Sequence, residues 1–436
     1  MKPRARQLYD LLHSNQGGNY TMCDAAKKAV YHRGNFSAFL MGRDEAIQPV
    51  SVEVVPSLEC NFNCKGCTYA QNGSKRKDIS KGGSRLMSQQ TFDQILQGLV
   101  DMEYTKSIIF TGGGEPTMNP EYVHFIRQAT REKSGDQRRF DVGLYTNGTL
   151  IGEHIGELAN MGLTFIRVSL NAGRYQTHRQ ICRYGNTGSH IFDKITDNIV
   201  RLAKARGNHE VETTIGIGFI MARENSDDGE LSSIKDLLLK LHEASDGRID
   251  YAAFRPKVQY FDSRFQVVTS QPDKDTFGGI VTRLIEQVKD PLNEAGMDVL
   301  INAAAFNELA EDNPNTGNIA SSWSASFDYD GGFYISSEHN GMDGFCIGHV
   351  TEGTSVGDVW GGTERTKIRE EIERGEKGKP DRRTLHSFKL KSLNDLLMHI
   401  RKEIMGDEGF SDEEVREFYS HLDEDGFEVP GHINFI

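Results

Sequence analysis

From Val50 to about residue 295 the sequence alternates strand-length apolar runs with helix-length amphipathic runs, six times over. The strands are expected over 51–55, 108–110, 141–145, 165–169, 211–220 and 249–254. The helices between and after them are expected from Ser88, then over 121–132, 155–161, 192–205, 231–243 and 274–295. In the first of these Phe92, Ile95, Leu96, Leu99 and Val100 recur with the 3.6-residue period of one helix face. Strands and helices in strict alternation argue for parallel strands with right-handed crossovers. The fold class expected is therefore α/β: a partial (β/α)6 barrel of TIM type, with a full barrel or a doubly wound sheet as alternatives. All three place ligands at the C-terminal ends of the strands.

The chemically suggestive residues fall at those ends. Cys60, Cys64 and Cys67 follow the first strand and Gly112-Gly113-Gly114-Glu115-Pro116 the second. Asn147 follows the third, Ser169 and Asn171 close the fourth, and Arg255 and Lys257 close the sixth.

The cysteines are spaced C-x3-C-x2-C. Three thiolates do not complete a closed structural zinc site, which takes four ligands. They suffice for three irons of a [4Fe–4S] cluster, leaving the fourth iron open to a ligand. An open iron binds an amine and a carboxylate, as on an amino acid. The glycines after the second strand let backbone approach such a ligand, and Gly113 to Pro116 offer acceptors for an ammonium group.

Two regions flank the alternation. Residues 1–48 read as a helical extension, with short helices over 7–14 and 23–31; Cys23 there is expected to be a buried structural thiol. Residues 49–300 form the expected core and 301–436 an α+β extension. Within the latter, 327–335 reads as a hairpin with a glycine turn. An amphipathic helix is expected over 391–404, and Ser411-Asp412-Glu413-Glu414 is a capping box.

Charge and cysteine usage limit the function classes. The net charge is −13, and the stretch 406–428 holds ten acidic residues against one basic, leaving −4 on the rest. A nucleic-acid partner is not expected on a mildly acidic body. No apolar run approaches the ~20 residues that span a bilayer, and no apolar stretch follows the basic N-terminus to make a secretory signal. Six cysteines in 436 residues do not make a disulfide scaffold, and three of them clustered suit a reducing, cytoplasmic setting.

The cysteine loop and Gly113-Gly114-Glu115-Pro116 together resemble the radical S-adenosylmethionine (SAM) superfamily, over roughly residues 50–256. The resemblance implies one [4Fe–4S] cluster held by Cys60, Cys64 and Cys67, with SAM chelated on the open iron. It implies that one electron, from a donor such as flavodoxin or ferredoxin, cleaves SAM to a 5′-deoxyadenosyl radical that abstracts hydrogen from a substrate. Gly113, Gly114, Glu115 and Pro116 would hold the SAM amino group. Ser169 and Asn171 resemble positions that contact its carboxylate or ribose; Asn147 lies on the same rim, and Arg179 or Arg183 would pair with the carboxylate. Many members place an aromatic residue before the third cysteine; here it is Gly66, and Tyr69 is expected to substitute near the adenine.

The region from Asp330 to Trp360 is similar to SPASM or twitch extensions, whose cysteines bind auxiliary clusters. Here Ser336 and Ser337 stand where the first such cysteine is expected, and only Cys182 and Cys346 follow Cys67. A hairpin that has kept its shape without a cluster is the expectation, with a redox-neutral outcome such as elimination, epimerisation or rearrangement. Cys182 is then a candidate hydrogen donor, although a buried packing thiol is the first reading of it. Glu53, within a barrel strand, needs a partner or a function; Tyr145, Arg167, Arg255, Lys257 and Tyr260 are further polar candidates for the lumen. The expected substrate is a small polar metabolite such as a sugar, aminoglycoside or nucleoside. A peptide is one alternative, for which residues 1–48 are the candidate docking element; a non-catalytic iron–sulfur or zinc-binding module is the other, and the Gly113 to Pro116 stretch argues against it.

Overall fold

In the computed structural model, strand β1 (Ser51–Val54) sets the pattern for the sheet. Val52 and Val54 are fully buried against the surrounding helices, while Glu53 turns to the opposite face. That two-residue alternation recurs in β2 (Ser107–Phe110), β3 (Asp141–Thr146), β4 (Phe165–Ser169), β5 (Thr214–Met221), β6 (Tyr251–Pro256) and β7 (Asp298–Ile301). The described residues are 1–14, 25–65, 67, 84–184, 190–207, 213–257, 260–261, 266–267, 274–303, 305–306, 318–342, 344–373, 390–424 and 431–435.

The strands are joined in the order β7-β6-β5-β4-β3-β2-β1-β8-β9-β10, where β8 is Ser324–Phe327, β9 Gly332–Tyr334 and β10 Cys346–His349. Strands β1 to β7 pair in parallel with their neighbours, as six β/α units require. One face packs under the crossover helices and the other curves around a lumen, giving a partial barrel. Two features extend the expected six units. A seventh parallel strand, β7, lies outside β6. On the other side β8 pairs in parallel with β1, Ser51 opposite Ser324 and Val54 opposite Phe327. The expected hairpin is present as β8 and β9, turning at Gly331 with φ +83°, so the C-terminal region continues the barrel sheet.

Local chemistry explains the helices. Ser88 caps Gln89–Val100, its Oγ accepting the Thr91 amide at 3.0 Å. Asp227 caps Asp228–Ala244 in the same way. The apolar face of Gln89–Val100 stacks Phe92 on Phe125 with centroids 4.5 Å apart. Burial of each such ring contributes about 1.5–3 kcal/mol. The helix expected to run to residue 295 is interrupted by a π-helical turn, Ile285–Lys289.

A second core forms where the N-terminal helices meet the C-terminal region. The helices Pro3–Ser14, Ala25–Ala29 and Arg33–Leu40 bury Leu8, Phe36 and Phe39 against Trp323, Leu393, Leu397 and Phe418 of the C-terminal region. The expected capping box opens Asp412–Glu424: the Glu414 carboxylate accepts from the Ser411 amide at 2.9 Å, and Ser411 Oγ accepts from the Glu414 amide at 3.3 Å. Residues 431–435 then cross the N-terminal ends of the strands. Ser107, at the start of β2, donates to the Asn434 carbonyl, and Asn434 donates to Asp141 at the start of β3. Phe435 meets Phe165, the first residue of β4, edge to face at 4.8 Å. No helix among the described residues is long and apolar enough to cross a membrane.

Candidate active site

The cysteine loop leaves β1 and is fixed on three sides. Its Asn63 and Lys65 amides donate to the carbonyls of Cys182 and Ile181, at the end of the helix Tyr175–Cys182. Its Asn61 donates to Thr149 Oγ1 at 2.7 Å and accepts from Asn147 Nδ2 at 2.7 Å. Phe62 is buried, stacked on Tyr184 at 5.1 Å. The Phe62 amide points at Cys60 Sγ, 3.4 Å away.

The glycine loop after β2 packs against this loop. The Glu115 amide donates to the Glu59 carbonyl at 2.8 Å. A Cβ on Gly114 would lie 2.1 Å from that same carbonyl oxygen, so only glycine fits. Glu115 is buried, and its carboxylate accepts from Thr117 Oγ1 at 2.6 Å, Thr146 Oγ1 at 2.6 Å and the Asn147 amide at 2.7 Å. Burial pushes its pKa above the usual carboxylate range, against the pull of these donors. Glu115 thus ties the glycine loop to the end of β3.

Cys60, Cys64 and Cys67 line one cavity of about 570 Å³ together with Gly113, Gly114, Glu115 and Pro116. Asn147, Ser169 and Asn171 line it too, as does Glu53. Asn171 adopts φ +63°, a conformation asparagine tolerates, and its Oδ1 accepts the Ile220 amide at 2.9 Å. The structure thereby brings together the cysteines, the glycine loop, Asn147, Ser169, Asn171 and Glu53.

Other sequence candidates lie elsewhere. Cys182 is fully buried with its Sγ 3.6 Å from His178 Nε2, and it is absent from the cavity lining, where its neighbour Ile181 appears. That placement supports a packing thiol that seats the cysteine loop and disfavours a hydrogen donor. Arg179 is exposed at the end of its helix, with Nη1 3.5 Å from the Tyr175 hydroxyl, and it does not line the cavity. Arg183 is likewise exposed and off the lining, with φ +48°. Cys346 points at the Gly348 carbonyl, 3.2 Å away, outside the cavity. Cys23, Gly66, Tyr69 and the side chain of Tyr260 lie outside the described residues.

Sequence reasoning named Lys257 as a lumen candidate but missed the ion pair beside it. Lys65, between Cys64 and Cys67, pairs with Glu224, which follows β5. Lys257 is buried close by. Burial lowers its amine pKa; the Glu224 carboxylate opposes that, while Lys65 and Arg183 add to it. The signal for Lys257 was the two-residue period of β6, which puts Tyr251, Ala253, Arg255 and Lys257 on the lumen side. Nothing local in the sequence pairs Lys65 with a residue 159 positions away.

The donor set fits an iron–sulfur cluster: three cysteine thiols outside any disulfide on one wall, beside backbone that a ligand can approach. No three His, Cys, Asp or Glu among the described residues converge on a single ion position. Ligands to a cubane bind separate irons and need not converge on one point.

Comparison with known proteins bears on the family and the fold. Residues 54–230 match the model of the radical SAM superfamily. The tungsten-containing aldehyde ferredoxin oxidoreductase cofactor-modifying protein of Pyrococcus furiosus is 28% identical over 171 residues, 38% of this chain and 42% of the relative. PqqA peptide cyclase of Bradyrhizobium diazoefficiens is 21% identical over 253 residues, 56% of each chain. The chain thus spans about half the length of these curated relatives. Streptococcus suis SuiB bound to precursor peptide SuiA shares the fold, with a TM-score of 0.53 at 15% identity, covering 74% of this chain and 68% of that one.

Proposed function

We propose that this chain, a member of the radical SAM superfamily through residues 54–230, is an enzyme that cleaves SAM reductively and acts on a small polar substrate in its lumen. The observation that carries the reading is the meeting of Cys60, Cys64, Cys67 and the Gly113 to Pro116 loop on one wall of a single cavity. The cluster and SAM, the cofactors of this family, supply one-electron cleavage of SAM and a carbon radical when bound. The reading includes a one-electron donor of the flavodoxin or ferredoxin type.

The chain's own residues have separable roles in this reading. The cysteines hold the cluster. The backbone of Gly113 and Gly114 would hold the SAM amino group, while Glu115 anchors that backbone to β3 through Thr146 and Asn147. Asn147 orients the cysteine loop through Asn61. Ser169 and Asn171, which line the same cavity, would hold the SAM carboxylate or ribose. Glu53 reaches into the lumen from β1, where a carboxylate suits a substrate hydroxyl or amine.

A peptide substrate is the second reading, favoured by the names of PqqA peptide cyclase and the SuiB–SuiA complex. The first is preferred for a geometric reason. The described helices of residues 1–48, the expected peptide-docking element, pack mostly into the second core, and of them only Ala25 and Lys28 line the cavity. Their Lys28 donates to the Phe435 carbonyl under the N-terminal ends of the strands, opposite the cysteines. Substrate-dependent stimulation of 5′-deoxyadenosine formation separates the readings. Stimulation by members of a sugar, aminocyclitol and nucleoside panel supports the first. Stimulation by peptides alone overturns it in favour of the second.

A further inference from the structure

The inner face of the barrel sheet is polar along one line. Strand β8 runs parallel to β1, with Ser324 opposite Ser51 and Ser326 opposite Glu53. Residues paired in this way share a face of the sheet. Ala325 and Phe327 join the core with Val52 and Val54. Ser51, Ser324 and Ser326 therefore fall on the lumen side with Glu53. All three serines are buried. A buried hydroxyl has to be hydrogen-bonded, and an alanine would fill the same place without that demand.

The polar line ends in the turn after β9. Ser337–His339 is a single 3-10 turn. Ser337, Asn340, Gly341 and Met342 line the cavity that the cysteines also line. Ser336 is fully buried, and Ser337 and Asn340 are each 4% exposed.

The bonds within this group leave a definite remainder. Ser326 Oγ donates to the Ser336 carbonyl at 3.5 Å. Its hydrogen is thus used, and it meets Asn340 as an acceptor, taking a bond from Asn340 Nδ2 at 3.0 Å. That fixes the amide, with Nδ2 on the serine and Oδ1 left over. Asn340 Oδ1 and Ser336 Oγ are shut off from water and have no hydrogen-bond partner among the described residues. The same holds for Ser51 Oγ and Ser324 Oγ, one inward step nearer the N-terminal ends of the strands. Of these four residues only Asn340 stands on the cavity wall. Bulk water does not reach its Oδ1, so a donor comes to it from a molecule held against that wall.

We propose that Asn340, with Ser337 beside it, is a substrate subsite for a neutral hydroxyl, which donates its hydrogen to Asn340 Oδ1. This rests on the cavity being the substrate chamber of a radical SAM enzyme. An amide oxygen selects a donor, and a carboxylate or phosphate oxygen can only accept. A hydroxyl fits better than an N–H, because it can also accept from the Ser337 hydroxyl. The hydroxyl can come from a sugar ring or from a serine side chain on a peptide.

The test uses the full chain with its cluster reconstituted anaerobically and SAM present. Equilibrium dialysis compares two sets of probes. One is methyl α-D-glucopyranoside with its 2-, 3-, 4- and 6-deoxy forms, and the other N-acetylserine N-methylamide with its alanine counterpart. In at least one set, loss of one hydroxyl is expected to weaken binding about tenfold, the upper end for one neutral hydrogen bond. The set that responds identifies the source of the hydroxyl. Asn340→Leu should bring the ratio to about twofold or less by weakening the parent probe and sparing the deoxy form. Asn340→Asp keeps an acceptor and should retain the ratio. Ser337→Ala should lower it in part. No discrimination by the wild type in either set overturns the proposal. Discrimination that survives Asn340→Leu also overturns it, and leaves Oδ1 to a structural water only. If Asn340→Leu does not fold, a ratio unchanged in Ser337→Ala overturns it. SAM cleavage is measured in the same wild-type preparation. Cleavage without hydroxyl discrimination overturns this proposal alone; no cleavage and no SAM binding overturn the reading on which it rests.

Discussion

Gly114 and Glu59 stand so close that a Cβ on Gly114 would lie 2.1 Å from the Glu59 carbonyl oxygen. Leu58 carbonyl carbon is 2.6 Å from the same point, so backbone surrounds it and no side-chain shift relieves the clash. Gly114→Ala should therefore cost about 1–3 kcal/mol, in the range for overpacking, and should displace the glycine loop from the cysteine loop. Thermal unfolding and SAM affinity should both suffer. Gly156→Ala, where a Cβ meets nothing within 4 Å, is the control and should be neutral or slightly stabilising.

The Glu115 carboxylate accepts from three groups besides the Thr117 amide at 3.2 Å. Glu115→Gln puts an amide NH2 where one oxygen accepted, opposing donor to donor. A loss of about 1–3 kcal/mol is expected for the unsatisfied pair, with SAM cleavage falling further than stability. Denaturant unfolding and 5′-deoxyadenosine formation measure the two losses separately. Equal stability with unchanged cleavage would show that Glu115 does not anchor the loop.

Cys182 is expected to behave as packing. Cys182→Ala should retain both SAM cleavage and product formation, with stability lowered by about 1 kcal/mol for the lost sulfur contacts. Cleavage retained with product formation lost would return Cys182 to the role of hydrogen donor.

His32 gives the stability a defined pH dependence. Its Nε2 lies 3.1 Å from the Ile433 carbonyl, and burial pulls its pKa down to about 4 from 6.5. Between those values the unfolded chain binds a proton that the native chain does not. The contribution is complete above pH 6.5 and is lost as pH falls towards 4, at about 1.4 kcal/mol per unit of pKa difference. Chemical denaturation at a series of pH values should show this slope, and His32→Gln should remove its share of it.

Arg365 joins the second core to the barrel. It donates to the carbonyls of Glu45 and Ile47 at 3.2 and 3.1 Å and lies over Trp360 at 4.3 Å. Burial lowers its pKa to about 10, so it stays charged at neutral pH. Arg365→Lys should fail to restore what Arg365→Ala loses, because a point charge cannot reach both carbonyls as the guanidinium fork does. Thermal midpoints of the two variants decide this.

The sequence carried the barrel because its signal is local: period two in the strands, period 3.6 in the helices. Asp298–Ile301 escaped because four residues after a broken helix give no period to read. The pairing of β8 with β1 escaped because register between Ser51 and Ser324 is set by packing across the chain. At the site, the cysteines and the glycine loop were legible as spaced motifs. The role of Glu115 was not: an acceptor for ammonium and an acceptor for Thr146 look alike until the fold brings Thr146 within 2.6 Å. Cys182 kept two open readings for a related reason, since the short polar helix Tyr175–Cys182 that turns it away from the lumen was not foreseen.

The central claim is one cluster and one radical chemistry, and a single anaerobic measurement addresses it. The chain is reconstituted with iron and sulfide, its iron is counted, and 5′-deoxyadenosine is assayed after dithionite reduction with SAM. The expected result is about four irons per chain with 5′-deoxyadenosine formed, both lost in Cys60→Ala. About eight irons would contradict the single-cluster plan, and four irons with SAM left intact would contradict the chemistry.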